Sequence, residues 1–335
     1  MSGRVEMAHG AGGRAMVELI DRVFRPAFSN PALDARNDQA VLDPPPGRLV
    51  LTTDAFVIAP LVFPGGDIGS LAVHGTVNDL AMAGARPLHL AASFILEEGL
   101  EFDLLETVVR SMAAAARAAG VGIVTGDTKV VERGKGDGLF ITTTGVGVVP
   151  EGVVISGDRA RPGDAVLVSG TIGDHGAAIL ARRAELDLET ELRSDSAALN
   201  RLVAAMLEAV PDIHVLRDPT RGGLAATLNE IAQQSGVGVR LVERAIPVRP
   251  EVRGVCELLG LDPLDVANEG KCVAICAEAD AERLLAAMRA HPLGRDAALI
   301  GRVVEDPRRL VELETAFGGR RLVDWLAGEP LPRIC

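Results

Sequence analysis

The chain alternates short β-rich runs with helical patterns in two successive halves, and this alternation limits the folds it can adopt. In the first half, "RLVLTTDAF" and "GLFITTTGVGVV" predict strands, whereas "IGSLAVHGTVNDLAMAGA" and "DLLETVVRSMAAAARAAG" predict helices. Residues 151–163, "EGVVISGDRARPG", are rich in turn formers, and the strand pattern "AVLVSG" follows them. We therefore predict an α+β fold with two domains, at residues 1–155 and 156–320, and a tail at residues 321–335.

Composition excludes several classes of protein. Hydrophobic residues make up 48% of the 335 residues and charged residues 24%, which is typical of a globular protein. The net charge of −12 and the 3% of aromatic residues, with no tyrosine, argue against nucleic-acid binding. No apolar run approaches the roughly 18 residues of a membrane span, and "MSGRVEMAHGAGG" lacks the apolar core of a signal peptide. We expect no membrane association and a cytoplasmic location.

Four cysteines are present, and only one of them has a setting that suggests chemistry. Cys272 and Cys276 belong to a predicted strand, "CVAICA", in which an offset of four residues separates them by roughly 13 Å, too far for a disulfide. Cys256 belongs to a short helical pattern and is expected in the core. Cys335 follows "EPLPRI" at the end of the chain, where structural cysteines are not expected. By elimination, Cys335 is the cysteine with a plausible chemical role.

Several acidic residues occupy strand ends or glycine-rich turns, where they gain nothing from packing. Magnesium bound through a few carboxylates and nucleotide phosphates would suit such a set. Taken singly, each acidic residue is equally well explained as a turn former or a helix cap, and spacing alone does not show that they converge. The candidates, with their polar neighbours, are Asp38, Asp54, Asn78, Asp79, Asp127, Lys129, Asp218 and Arg221.

Two glycine-rich loops and one charged turn are further candidates. Residues 9–13, "HGAGG", and 221–223, "RGG", could present backbone N–H groups to phosphate, although neither matches a known phosphate-loop motif. His9 is either a general base or a surface residue beside a turn. In "ANEGKCV", Glu269 could act as a base and Lys271 could pair with it or with phosphate; the alternative is a turn with solvated charges.

Read together, these motifs resemble the HypE family of hydrogenase maturation proteins. The resemblance covers essentially the whole chain, and "TGDTKVV" combined with the final "PRIC" is its most specific part. The family shares an ATP-binding superfamily with aminoimidazole ribonucleotide synthetase, selenophosphate synthetase and thiamine-monophosphate kinase. The motifs that carry the resemblance are "AHGAGG", "TDAFVIAPLVFPGGDIG", "GTVNDLAMAGA", "FILEEGL", "TGDTKVV", "SGTIGDHG", "DPTRGG", "RGVCELLGLDPL", "NEGK", "HPLGRDAALIG" and "PRIC".

The resemblance implies a homodimer whose N-terminal domains build a shared β-barrel, with ATP and magnesium in a cleft between the domains and a flexible C-terminal tail. It also implies a reaction: the carbamoyltransferase HypF loads the terminal thiol, the S-carboxamide is dehydrated to an S-cyanate with ATP, and cyanide passes to iron on the HypC–HypD complex for the [NiFe]-hydrogenase. By residue-by-residue transfer, the nucleotide-binding set is Asp38, Asp54, Asn78, Asp79, Gly126 and Asp127.

Magnesium is assigned by the same resemblance to the four aspartates of that set, Asp38, Asp54, Asp79 and Asp127. The catalytic residues it implies are Cys335, Glu269, Lys129 and His9. Pro330 and Pro332 are expected to stiffen the tail, and Arg333 to offset the charge of the terminal carboxylate.

Two other functions remain open at this point. A small-molecule kinase of the thiamine-monophosphate kinase type would share the acidic ATP site but would have no use for a terminal thiol. A non-enzymatic carrier would use Cys335 only to transport a group made elsewhere. In the least specific alternative, Cys335 is a dispensable chain end.

Overall fold

The computed structural model describes residues 3–37, 39–43, 45–184, 192–325 and 333–335. Its first half consists of a short helical region, two long helices and six strands. These helices are α1 (Arg14–Leu19), α2 (Arg25–Phe28), α3 (Pro31–Asp34), α4 (Ile68–Met82) and α5 (Phe102–Ala119). The strands are β1 (Arg48–Phe56), β2 (Val62–Phe63), β3 (Gly66–Asp67), β4 (Arg86–Glu97), β5 (Gly122–Val131) and β6 (Leu139–Val149).

Four of these strands form one sheet in the order β1-β6-β4-β5, with β4 and β5 parallel and the other neighbours antiparallel. Side chains alternate between its faces, as a strand requires, and the face packed on α4 and α5 is apolar and buried. From the opposite face project Leu49, Leu51 and Ile95, which are 62%, 73% and 41% exposed. One face of this sheet therefore presents apolar side chains to solvent.

The helix α4 packs closely on β1 because a glycine allows it. A Cβ atom on Gly75 would lie 2.9 Å from the Phe56 ring, closer than side chains tolerate. Asp67 caps the helix by accepting hydrogen bonds from the backbone N–H groups of Gly69 and Ser70 at 2.8 and 3.0 Å. The C-terminal end of α4, Ala81 and Met82, packs into the core of the second half, so this helix joins the two halves.

Backbone conformation and capping contacts define both ends of α5. Gly120 ends the helix in the left-handed conformation (φ 77°). Glu101 is the N-cap residue and its side chain makes no capping bond, although Asp103 and Glu106 have the spacing of a capping box in the sequence. Asp103 instead lies in the first helical turn, where a carboxylate interacts favourably with the helix dipole.

The second half consists of a seven-stranded sheet with helices on both faces. Its strands are β7 (Ala165–Val168), β8 (Ile213–Arg217), β9 (Gly238–Val242), β10 (Val273–Cys276), β11 (Ala298–Val304), β12 (Val311–Glu314) and β13 (Arg320–Leu322). Its helices are α6 (Asp174–Arg183), α7 (Asn200–Ala209), α8 (Gly223–Ser235), α9 (Pro250–Leu259) and α10 (Ala281–Ala290). The strand order is β13-β12-β9-β11-β7-β10-β8, with only the β12–β9 pair parallel among these neighbours.

The prediction of an α+β chain is confirmed. The strands β2, β3, β4, β8, β12 and β13 were not predicted from the sequence. Four of them, β2, β3, β12 and β13, are only two to four residues long, too short for a visible alternation. The predicted start of the tail, residue 321, falls inside β13. The mobile tail itself stays a prediction, and its prolines, Pro330 and Pro332, lie outside the described residues. Within the described ranges, no helix combines the length and apolar character needed to cross a bilayer.

We predict that Leu105→Ala destabilises the first half by about 2–5 kcal/mol, because this fully buried leucine of α5 fills the core under the four-stranded sheet. Urea denaturation followed by circular dichroism measures the change. Leu258→Ala is the matched control, since Leu258 is a helical leucine that is 68% exposed, and it should change stability by about 0.5 kcal/mol or less. Equal effects of the two substitutions would contradict this packing.

Candidate active site

Two of the predicted ligands lie together where β1 faces α4. Asp54 lies on the inner side of β1, and Asp79 follows Asn78 in the last turns of α4. Thr52, also on the inner side of β1, donates a hydrogen bond to Asp79 Oδ2 at 2.7 Å. Burial raises the pKa of both aspartates, and the charge of Asp79 raises that of Asp54 further. The structure thus brings together Asp54 and Asp79, which are 25 residues apart in sequence.

Two further carboxylates from the second half join them. Burial, followed by the charges of Asp79 and Asp54, raises the pKa of Asp218 to about 7. Glu269 is 3% exposed, and burial followed by the charge of Asp218 raises its pKa well above the usual value. We call Asp54, Asp79, Asp218 and Glu269 the carboxylate cluster.

The carboxylate cluster has an excess of buried negative charge. Glu269 Oε1 is buried without a hydrogen-bond partner among the described residues. The nearby Arg217 and Arg221 lower the pKa of Asp79 but do not cancel the effect of burial. A bound cation or a retained proton would relieve this repulsion.

Asn78 and Asp195 hold the backbone around Glu269. Asn78 Nδ2 donates to the carbonyl oxygens of Ala197 and Glu269 at 3.0 and 3.3 Å, and its Oδ1 accepts from Leu199 N at 2.8 Å. Asp195 Oδ1 accepts from Glu269 N at 3.0 Å. The predicted ligand Asn78 therefore uses its amide to fix the segments that surround the carboxylate cluster.

The contacts of the "ANEGKCV" turn exclude two of the sequence interpretations, a turn with solvated charges and a Lys271–Glu269 pair. Glu269 is buried rather than solvated. Lys271 Nζ lies 3.2 Å from Asp195 Oδ2, and both side chains are nearly buried, so Lys271 pairs with Asp195 and not with Glu269. Sequence reasoning missed Asp195 because no motif marks it and its role depends on contacts between distant segments.

Asp127 and Lys129 lie elsewhere. Lys129 Nζ is 2.7 and 2.6 Å from the two carboxylate oxygens of Asp127, and this bond lowers the Asp127 pKa. Both side chains are more than half exposed, on the open face of the sheet. In the sheet, Asp127 lies opposite Ser93 of β4, Ser93 lies opposite Thr142 of β6, and Thr142 lies opposite Ala55 of β1. Three strand spacings, roughly 14 Å, therefore separate Asp127 from β1. Within one chain, the pair and the carboxylate cluster occupy opposite faces of the sheet.

The remaining predicted residues also lie apart from the carboxylate cluster or outside the described residues. His9 Nδ1 accepts a hydrogen bond from Glu6 N at 2.9 Å, and its ring packs edge-on against Phe102 at a centroid distance of 5.2 Å, on the β5 side of the sheet. Gly126 has a packing reason to be glycine, since a Cβ atom there would meet Ala92 O at 2.3 Å. Asp38 lies outside the described residues.

The acidic residues fit magnesium with a nucleotide better than they fit magnesium alone. Among the described residues, no three His, Cys, Asp or Glu side chains are arranged to hold a metal ion by themselves. Magnesium takes one or two protein carboxylates and completes its shell with water and phosphate oxygens. Asp54 and Asp79, whose carboxylates are half-buried and mutually repelling, suit that requirement.

The last three residues, 333–335, run antiparallel to the segment that follows β1. Val57 N donates to Cys335 O at 3.2 Å and Ala59 N to Arg333 O at 3.4 Å. The Ile334 side chain is 2% exposed and belongs to the core of the first half, and Cys335 is half-buried against it. Asp54 precedes Val57 by three residues, roughly 10 Å of extended chain. The terminal cysteine therefore lies beside the segment that continues β1, close to the carboxylate cluster.

The contacts bear on Arg333 and on the other cysteines. The Arg333 guanidinium pairs with Asp137 and donates to Val57 O at 3.0 Å. Its effect on the charge of the terminal carboxylate stays a prediction. The other three cysteines are free and buried, and burial raises their thiol pKa values to about 11 for Cys256 and about 12 for Cys272 and Cys276. The predicted core placement of Cys256 is confirmed, and so is the absence of a disulfide between Cys272 and Cys276.

We predict that the isolated protein loses thermal stability between about pH 4 and pH 7 and that Asp218→Asn flattens this loss. Folding raises the Asp218 pKa to about 7, so its favourable contribution is complete below the ordinary value of 3.8 and is lost as pH rises through 7. Calorimetry without magnesium or nucleotide measures the effect. Asp158→Asn, at an exposed position, should keep the pH dependence of the parent protein; an unchanged slope in Asp218→Asn would contradict the prediction.

Both halves of the chain match one family of proteins. Residues 36–149 match the family described as AIR synthase related protein, N-terminal domain, and residues 161–313 match its C-terminal domain. Carbamoyl dehydratase HypE of Azotobacter vinelandii is 68% identical over 334 residues, spanning 100% of this chain and 98% of that protein.

Solved structures agree with the sequence comparison. The crystal structure of the hydrogenase maturation protein HypE in complex with ATP superposes with a TM-score of 0.95 at 54% identity, covering 98% of this chain and 99% of the other. A HypE–HypF complex matches with a TM-score of 0.81 at 49% identity, covering 92% and 99%. The chain therefore belongs to the AIR synthase-related family and, within it, to the HypE hydrogenase maturation proteins.

Proposed function

We propose that this chain is an ATP-dependent carbamoyl dehydratase that converts an S-carboxamide on its own Cys335 to an S-cyanate, the source of the cyanide ligands of the [NiFe]-hydrogenase iron. The observation that carries the proposal is the placement of residues 333–335 along Val57–Ala59, directly after the strand that bears Asp54. A relative 68% identical is named carbamoyl dehydratase, and a HypE structure contains ATP.

The reaction needs an activated oxygen and a proton acceptor. Attack of the carboxamide oxygen on the γ-phosphorus of ATP forms an O–P bond and releases ADP, and one N–H proton is lost as the imidate phosphate forms. Cleavage of the C–O bond then releases phosphate, and loss of the second N–H proton completes the nitrile of the S-cyanate. Without activation, the oxygen would have to leave as hydroxide, a far poorer leaving group.

The carboxylate cluster supplies the groups for both requirements. Asp54 and Asp79 would hold magnesium, which disperses negative charge on the phosphates when bound. Glu269, with a raised pKa and an Oε1 that lacks a hydrogen-bond partner among the described residues, is suited to accept an N–H proton. Asp218, whose pKa is about 7, belongs to the same carboxylate cluster, and its charge acts on Glu269. It is a second candidate proton acceptor.

We further propose a homodimer formed through the open face of the four-stranded sheet, with the two sheets closing into a barrel. Leu49 and Leu51 are largely exposed on that face, and a partner sheet would bury them. Asp127 and Lys129 lie on the same face, roughly 14 Å from β1, and cannot reach the carboxylate cluster of their own chain. In this arrangement they act at the interface, where Lys129 can offset phosphate charge.

The partners and the domain roles follow from the same proposal. Residues 1–155 bind nucleotide and dimerise, residues 156–320 supply Glu269 and Asp218, and the residues that follow β13 carry the thiol between the cleft and its partners. HypF, present in the matched complex, loads the thiol, and HypC–HypD accepts the cyanide. Four free cysteines are consistent with a reducing cytoplasm.

We predict that carbamoylated protein loses the mass of one water on addition of ATP and magnesium, and that Cys335→Ala neither accepts the carbamoyl group nor shows the loss. Intact-protein mass spectrometry measures both. Cys256→Ala, which changes a buried cysteine, should behave like the parent protein. A Cys335→Ala variant that still processes its substrate would point to a small-molecule kinase instead.

We also predict that Glu269→Gln slows the loss of water about 100-fold or more while carbamoylation continues, because glutamine keeps the shape but cannot accept a proton. The rate is followed by quenched mass spectrometry after mixing with ATP. Normal dehydration by Glu269→Gln would exclude Glu269 as the essential proton acceptor, whereas an absence of dehydration in the parent protein would favour the carrier function, in which the group is made elsewhere.

For the dimer, we predict that Leu51→Asp yields monomers in sedimentation equilibrium and lowers ATP turnover, because a buried charge disfavours the interface. The control Leu258→Asp changes a leucine that is 68% exposed on α9 and should leave the assembly intact. A dimeric Leu51→Asp variant would exclude this face.

A further inference from the structure

His175 is a buried histidine whose contacts connect the chain end to the loop that holds Glu269. It is the second residue of α6 and is fully buried. Its Nε2 lies 2.8 Å from Ile334 O and its Nδ1 2.7 Å from Ser194 Oγ. The ring also meets Phe63 edge-on at a centroid distance of 5.6 Å.

The hydrogen-bond partners determine which nitrogen carries the proton. A carbonyl oxygen can only accept, so Nε2 donates to Ile334 O. Burial lowers the pKa of His175, which keeps the ring neutral, and Nδ1 must then accept from the Ser194 hydroxyl. Ser194 Oγ in turn accepts from Ser196 N at 3.0 Å, so the hydroxyl proton is directed to the histidine.

We propose that His175 is a positioning residue that holds the chain end in the cleft through the main-chain carbonyl of Ile334. The bond is made one residue before the thiol, so it is the same whether Cys335 carries a free thiol, a carboxamide or a cyanate. Arg183 contacts the preceding carbonyl, Arg333 O, in the same way. The functional importance of the His175–Ile334 hydrogen bond rests on the proposed function of Cys335. The hydrogen bond itself is independent of that function.

The same loop links this contact to the carboxylate cluster. Ser194 bonds to His175, and the next residue, Asp195, accepts the backbone N–H of Glu269 at 3.0 Å. Ser194 N donates to Pro64 O at 2.8 Å, which anchors the loop on the first half. Docking of the chain end and placement of the proposed base therefore share two adjacent residues.

The test compares His175→Phe with His175→Gln by alkylation of Cys335. Phenylalanine preserves volume and the contact with Phe63 but has no donor, whereas the glutamine amide can donate from the position of Nε2. Iodoacetamide labelling without ATP, followed by intact-mass measurement, reports the exposure of the thiol, because the other three cysteines are buried. We expect labelling of Cys335 at least about fivefold faster in His175→Phe and within about twofold of the parent in His175→Gln.

His74→Gln is the matched control. His74 is a partly buried histidine that bonds through Nδ1 to Ser196 Oγ at 2.9 Å, two residues from Ser194, and its pKa is lowered to about 4 by burial. The rate of Cys335 labelling in His74→Gln should equal that of the parent protein. Equal acceleration in His175→Phe, His175→Gln and His74→Gln would show a purely structural role and overturn the proposal, as would an unchanged rate in His175→Phe.

A second variant covers the case in which His175→Phe does not fold. Ser194→Ala removes the donor to Nδ1 and leaves the ring in place, and we expect an intermediate labelling rate; the parent rate would count against the proposal. With carbamoylated protein, single-turnover loss of water should slow in His175→Phe and recover in His175→Gln. A labelling difference in a protein that shows no loss of water would retain the positioning role and reject the proposed function.

Discussion

The central physical constraint in this structure is the concentration of carboxylates at the junction of its two halves. Burial of like charges is unfavourable, and its effect is visible in the raised pKa values of Asp54, Asp79, Asp218 and Glu269. Nothing about the stability of the isolated chain requires these four residues to meet. In the proposed function, binding of a cation and its nucleotide would relieve the repulsion, so the stability lost in the free protein would become ligand-binding free energy.

The helix α4 (Ile68–Met82) makes this junction possible because it serves packing and chemistry together. Gly75 lets it approach β1 closely enough for Thr52 to reach Asp79. Asn78, one residue before Asp79, bonds to the carbonyl oxygen of Glu269 and to the backbone of Ala197 and Leu199. The last turn of α4 packs against the core of the seven-stranded sheet. A shift of this helix would therefore disturb the two cores and the carboxylate cluster at once.

Recognition of the chain end depends on the backbone. Val57, Ala59, His175 and Arg183 all contact main-chain atoms of residues 333–335, and Ile334 alone contributes a large buried side chain. Such contacts are insensitive to the group on the neighbouring sulfur. In the proposed reaction, in which the sulfur carries a thiol, a carboxamide and a cyanate in turn, such contacts would stay unchanged.

Local sequence determined the secondary structure and the identity of several site residues. Periodicity located β1 and α4, and an acidic residue on each, Asp54 and Asp79, was identified as a candidate because packing did not explain it. The family motifs assigned chemistry to Cys335 and Glu269.

Only the tertiary structure decided which candidates meet. Asp127 and Lys129 lie on the opposite sheet face because strand pairing, which no local pattern encodes, sets the row and face of each side chain. His175 and Asp195 escaped notice because their roles are bonds to residues 159 and 74 positions away, and such partners are chosen by folding rather than by spacing.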